Sequence, residues 1–155
     1  MGSVGVRAQV TGALTIRDAG EGDLALLAGF VLQLWEAHGS IAGPNTPDDR
    51  ARTLLDTTAV KFIERDGVPI AYAALLDMGD YMFIRHFAVD RAHRGGGTGR
   101  AAFDALEAAC FAGRGVRLDA SVKIPGPKAF WEAMGFHVHA HAMQRDARPV
   151  EGAAT

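Results

Sequence analysis

Arg94-Gly95-Gly96-Gly97-Thr98-Gly99-Arg100 stands between residues 81–89, which read as a β-strand, and residues 97–112, which read as a helix. Glycine lets the backbone enter left-handed conformations and lets a ligand approach closely. The first turn of the helix that follows offers amides without intrahelical acceptors and the positive end of its dipole. Arg91, His93, Arg94 and Arg100 flank the turn and make a local basic patch. Such a strand, glycine turn and helix is built for a phosphate-bearing anion, and a pyrophosphate is its natural guest.

Three phosphate-binding patterns compete for this turn. The P-loop pattern fails, because no Lys followed by Ser or Thr comes after Gly99. A dinucleotide pattern in its alanine variant fits Gly97-Thr98-Gly99-Arg100-Ala101-Ala102, with Asp119 beyond it as the ribose partner, and would make the protein an NAD(P)-binding enzyme. That fold needs the turn directly after its first strand, whereas a meander of strands precedes it here. The third pattern, Arg/Gln-x-x-Gly-x-Gly/Ala, fits Arg94 to Gly99 without a gap.

Working outward, residues 14–17 read as a strand. Residues 22–38 read as a helix with Leu24, Leu27, Val31, Leu34 and Trp35 on one stripe. Thr46 caps a second helix, 47–55, with Pro47 at its first position and Asp48 and Asp49 at the positive end of its dipole. Residues 60–64 and 68–76 form a hairpin about Asp66-Gly67, and the nearly unbroken apolar run from Ile70 to Leu76 suits a strand buried on both faces. Residues 81–89 complete an antiparallel meander. After the helix at 97–112 come a strand at 116–122, a helix at 127–134 and a last strand at 136–143. The fold class is α+β, three-layered, with a mixed and mostly antiparallel sheet flanked by helices. One domain spans 13–146, with loose tails at 1–12 and 147–155.

The strand Ile84-Arg85-His86-Phe87-Ala88-Val89, the turn 94–100 and Ala129-Phe130-Trp131-Glu132-Ala133-Met134-Gly135-Phe136 together resemble the GNAT superfamily of acyl-CoA-dependent N-acyltransferases. The resemblance covers roughly residues 14–144. It implies an N-acetyltransferase that carries an acetyl group from acetyl-CoA to a primary amine of a small molecule, in a ternary complex. Backbone groups of Phe87, Ala88 and Val89 would pair with the pantetheine arm. Arg94 and the turn Gly95, Gly96, Gly97, Thr98, Gly99 and Arg100 would bind the pyrophosphate. Lys128 would serve phosphate or adenine, and Trp131 would lie beside the pantetheine or thiol.

The chemistry needs a neutral amine, a donor to the tetrahedral oxyanion and an exit for the thiolate. A lysine-like amine has a pKa of about 10.4, so a proton must be removed near neutral pH. The sequence departs from the family at the proton-transfer positions: Phe83 and Arg85 stand where many members carry an acid, and Trp131 stands where a tyrosine is common. The candidates left for the base are His86 and Asp80. Strand alternation puts His86 on the face opposite Phe83 and Arg85. Arg85 suggests a pairing with a carboxylate of the acceptor, and Trp35 and Glu36 are the further acceptor-side candidates. A non-catalytic acyl-CoA binder or sensor is the competing reading.

Composition narrows the partners. Sixteen Lys and Arg against eighteen Asp and Glu leave a formal charge of −2, which gives no general attraction to nucleic acid or an acidic membrane. An apolar fraction of 48% with 22% charged residues is that of a globular protein. The single cysteine, Cys110, excludes an intrachain disulfide and is compatible with the cytoplasm. His137, His139 and His141 alternate along the predicted last strand, but no fourth ligand accompanies them and no metal is expected. By resemblance the protein is a candidate homodimer.

Overall fold

The apolar run from Ile70 forms the middle of the sheet. In the computed structural model, which describes residues 13–37, 45–120 and 125–150, every residue from Ile70 to Leu75 is buried. The strands are β1 (Leu14–Asp18), β2 (Ala59–Arg65), β3 (Val68–Asp77), β4 (Tyr81–Val89) and β5 (Gly115–Leu118). They lie in the order β1-β2-β3-β4-β5. Neighbours are antiparallel except β4 and β5, which are parallel. This is the mixed, mostly antiparallel sheet expected from the sequence, and its meander is incompatible with a doubly wound dinucleotide fold.

Two helices cover one face. A short 3-10 turn, Glu21–Asp23, leads into α1 (Leu24–Ala37), and α2 spans Pro47–Thr57. At the start of α2 the Asp49 amide donates to Thr46 Oγ1 and the Thr46 amide donates to Asp49 Oδ2, each at 3.1 Å. This is the reciprocal cap that the sequence Thr-Pro-Asp-Asp leads one to expect. Leu27, Phe30 and Val31 of α1 and Ala51 and Leu54 of α2 pack on Val60, Phe62, Tyr72 and Ala74 of the sheet. The other face carries α3 (Thr98–Cys110). There Ala102 joins Ile63, Ile70 and Ala71, and the rings of Phe87 and Phe103 meet edge-on at 6.0 Å. Cys110, near the end of α3, is half-buried, and burial pushes its thiol pKa up, so it behaves as a small hydrophobe.

Two irregularities interrupt the pairing. The β2–β3 register shifts at Ile63/Glu64 and the β3–β4 register shifts at Ala74/Leu75. At the second, Ala74 faces His86 and Leu75 faces Ile84, which leaves Arg85 with no opposite residue in β3. A bulge of this kind resets the side-chain alternation. Arg85 and His86 therefore both emerge towards α1 and α2, which corrects the opposite-face expectation drawn from strict alternation.

The chain divides into two compact units, 1–120 and 121–155. In the second, α4 (Pro125–Ala133) ends at Gly135, whose φ is 96°. Trp131 meets Phe130 and Phe136 edge-on at 4.9 and 5.1 Å. The strand expected at 136–143 is not formed: every residue from His137 to Met143 is exposed and without regular structure. The apolar side of that segment beyond Phe136 would be only Val138, Ala140 and Ala142, too little side chain to hold a strand. The aligned histidine face that the strand would have made is absent with it. Of the expected tails, residues 147–150 are exposed and irregular, while 1–12 and 151–155 lie outside the described residues.

Candidate active site

Three successive glycines, Gly95, Gly96 and Gly97, have φ of 93°, 62° and 81°, in the left-handed region that other residues enter at a cost. Gly97 is the N-cap of α3 and supplies no side-chain cap. Thr98, nine-tenths buried, locks the turn from beneath. Its amide and its hydroxyl both donate to the Gly95 carbonyl, at 3.2 and 2.8 Å. The Thr98 side chain thus shapes the turn. Among the described residues the amides of Gly95, Gly96, Gly99 and Arg100 find no acceptor, and they form an anion-binding cradle at a helix N-terminus.

The basic residues around the turn divide by role. Arg94 Nε donates to the Val89 carbonyl at 3.0 Å and ties the turn to the end of β4. The Arg91 guanidinium pairs with Glu36 of α1. His93 Nδ1 lies 3.0 Å from Asp90 Oδ2. Arg100 makes no ion pair among the described residues. Gln33 of α1 bridges the same loop, donating to Asp90 Oδ1 at 2.7 Å and accepting the Arg91 amide at 2.8 Å. The Gln33 amide, followed by His93, holds the Asp90 carboxyl below the usual carboxylate range. Glu36 thereby links α1 to the loop through an exposed ion pair, and Trp35 packs half-buried on the core.

Next to the turn the sheet splits. Among the described residues β5 pairs with β4 from Tyr81 to Ile84, and β4 runs on through residues 85–89 past the end of that pairing. At the start of that extension the Tyr72 hydroxyl lies 2.8 Å from His86 Nδ1. Burial pushes the Tyr72 pKa up, so the phenol keeps its proton. His86 is its one polar partner among the described residues, and a buried hydroxyl without an acceptor costs roughly 1–3 kcal/mol. A phenol that keeps its proton is thus placed to donate to Nδ1 of His86.

The residues singled out in the sequence separate accordingly. Phe87, Ala88, Val89, Arg94 and Gly95 to Arg100 come together along β4 and its turn. Arg85 and His86 share the bulge. Asp80 is exposed in the β3–β4 turn, at the opposite end of β4 from Val89. Lys128 and Trp131 belong to the second unit, where Lys128 pairs with Glu132 at 2.7 Å. Residues 38–44, between α1 and α2, lie outside the described residues. Sequence reasoning missed Tyr72, Gln33 and Arg50. The spacing 50, 53, 54, 57, one stripe of a helix, was the available signal for the last of these.

The acetyltransferase (GNAT) family model matches residues 29–136, which contain β2 to β5, the glycine turn and α2 to α4. The chain belongs to the GNAT acetyltransferase family. At family level this GNAT acetyltransferase is an acyl-CoA-dependent transferase. Its fold is similar to that of a possible acetyltransferase from Clostridium difficile 630, with TM-score 0.69 and 18% identity over 89% of this chain and 99% of that one. It is also similar to an aminoglycoside N-acetyltransferase in complex with CoA, at TM-score 0.63 and 20% identity over 88% of this chain and 95% of the other. A ribosomal-protein-alanine N-acetyltransferase from Brucella melitensis biovar Abortus 2308 gives TM-score 0.64 and 18% identity over 88% and 99%. At these identities the likeness is one of fold. No curated protein matches the sequence. Among the described residues no helix is long and apolar enough to cross a membrane.

Proposed function

We propose that this GNAT acetyltransferase transfers an acetyl group from acetyl-CoA to a primary amine of a small molecule, in the cytoplasm, by direct attack within a ternary complex. The observation that carries the reading is the cradle of left-handed glycines ahead of an uncapped helix, set where β4 runs on beyond β5. The amides of Gly95, Gly96, Gly99 and Arg100, with the Arg94 and Arg100 guanidinium groups, take the pyrophosphate. The β4 extension Phe87, Ala88 and Val89 receives the pantetheine arm in the manner of an added strand. Lys128 and Trp131 are assigned to the cofactor by resemblance alone, and Asp80 receives no role.

His86 acts as a hydrogen-bond donor. Its Nδ1 lone pair is occupied by Tyr72, and taking up a proton would cost the buried phenol its acceptor. A ring N–H of His86 would serve the developing oxyanion. The amine loses its proton to solvent as the C–N bond forms, and the tetrahedral intermediate collapses with cleavage of the C–S bond, the CoA thiolate taking a proton from solvent. His86→Gln preserves an acceptor for Tyr72 and a donor beyond it, so kcat is expected to fall by no more than about tenfold. A general base would cost about a hundredfold or more and would remove a limb of the pH–rate profile.

The reading is tested by thermal shift with CoA, acetyl-CoA, NAD and NADP, followed by free-thiol release from acetyl-CoA across an amine panel. Stabilisation by CoA and acetyl-CoA alone, with thiol release, is the expected result. Stabilisation by NAD(P) alone overturns it. CoA binding without turnover on any amine supports a non-catalytic acyl-CoA binder, the reading that the missing strand carboxylate favours.

A further inference from the structure

One cleft lies on the α2 side of the β4 bulge. It holds about 240 Å³ and is lined by Arg50, Thr53, Leu54, Thr57 and Thr58 from α2 and its end, with Leu76 of β3 and Arg85 of β4. That is below the ~300–1,000 Å³ of clefts that take drug-sized ligands, so its occupant is small. No lining residue is acidic. Other arginines carry carboxylate partners: Arg17 pairs with Asp23 and Glu64, Arg52 with Glu21 and Asp56, and Arg91 with Glu36. Arg50 and Arg85, from two different elements, have no carboxylate partner among the described residues. The positive charge of Arg50 acts weakly against the burial that raises the Tyr72 pKa.

The hydroxyls sharpen the polarity of the cleft. Thr57 Oγ1 donates to the Thr53 carbonyl at 2.6 Å and Thr58 Oγ1 donates to the Leu54 carbonyl at 2.7 Å. Their hydrogens are spent, so both oxygens offer only lone pairs outward. The cleft therefore presents two guanidinium groups for an anion and hydroxyl oxygens for an N–H. A polycation meets two like charges there.

We infer that this cleft is an anion subsite, and that the acceptor is a small amine bearing a carboxylate or phosphate, held by Arg50 and Arg85 so that its amine reaches the β4 bulge. The inference rests on the transferase reading for the word acceptor, but the binding it describes is independent of turnover. The pair of arginines, forked and permanently charged, is the group of choice for a planar or tetrahedral oxyanion.

The test is calorimetric titration of the CoA-loaded full chain with four probes: L-amino acids, the corresponding amino-acid amides, 2-aminoethyl phosphate and an aminoglycoside. Either the acids or the phosphate is expected to bind about tenfold or more tighter than the amides, with no binding of the aminoglycoside, and the tighter of the two identifies the anion. Arg85→Gln, at an exposed position, and Arg50→Gln are each expected to erase that preference while leaving thermal stabilisation by CoA unchanged. Equal binding of acid and amide, preference for the aminoglycoside, no binding of either anion, or a preference that survives both substitutions overturns the inference. Anion-selective binding without thiol release retains the subsite and removes the transferase reading. Thiol release with uncharged amines as good as acids does the reverse.

Discussion

Gly97→Val is expected to abolish stabilisation by CoA while leaving a folded protein. Gly97 has φ of 81°, and holding a β-branched residue there costs on the order of 1–2 kcal/mol. A Cβ at this position meets nothing within 4 Å, so the protein itself does not clash with the new side chain. The melting temperature of the free protein should therefore drop by only a few degrees, at about 2–4 °C per kcal/mol for a chain of this size. The ligand sees a different surface. Two methyl groups stand over the amides that the pyrophosphate needs, and the strained residue turns those amides out of convergence. Losing two charge-assisted hydrogen bonds at about 1.5–3 kcal/mol each weakens CoA at least a hundredfold. Gly97→Asn separates the two effects, since asparagine enters the left-handed region more readily: free stability near wild type with weakened CoA binding is expected. Thermal shift and calorimetry with CoA read both. If Gly97→Val binds CoA like the parent, the turn does not hold the pyrophosphate.

How much of this was legible follows from where the determinants lie. The glycine turn is legible because the requirement for positive φ is written into three consecutive residues, and the cap at Thr46 because it is closed within four residues. The central strand is legible because burial on both faces demands an unbroken apolar run. The β4 bulge is not. No glycine or proline marks it, and it appears only as a register shift against β3 at Ala74/Leu75. That single shift moved His86 onto the face of Arg85, beside Tyr72. The missing strand at 136–143 is the converse case. Its alternation is visible, but alternation with alanine in the apolar places buries too little to keep it. Glu36 was read as facing the acceptor because a carboxylate late in a helix has no local mark of its partner, Arg91, which lies fifty-five residues on.

Phe30→Ala carries the largest expected loss of stability, and it connects the core to the site. Phe30 is 4% exposed on α1, with its ring 5.3 Å from that of Tyr72 and 6.0 Å from that of Phe62. Removing a buried phenyl ring costs about 3–5 kcal/mol, a fall of roughly 6–20 °C in melting temperature at this chain length. Phe30→Leu keeps most of the volume, and a milder loss is expected. Tyr72 loses one wall of its packing, and the phenol that fixes the tautomer of His86 gains freedom. The glycine turn answers to other contacts: Thr98 beneath it, and Ala102 and Phe103 of α3 on the opposite face of the sheet. At about 10 °C, within the range where domain stability is typically greatest, Phe30→Ala should therefore bind CoA with near-parental affinity by calorimetry while kcat for the best acceptor falls. A parallel loss of CoA affinity and kcat would mean that the two faces of the sheet respond as one. Unchanged kcat would mean that the Tyr72–His86 pair is set by β3 and β4 alone, without support from α1.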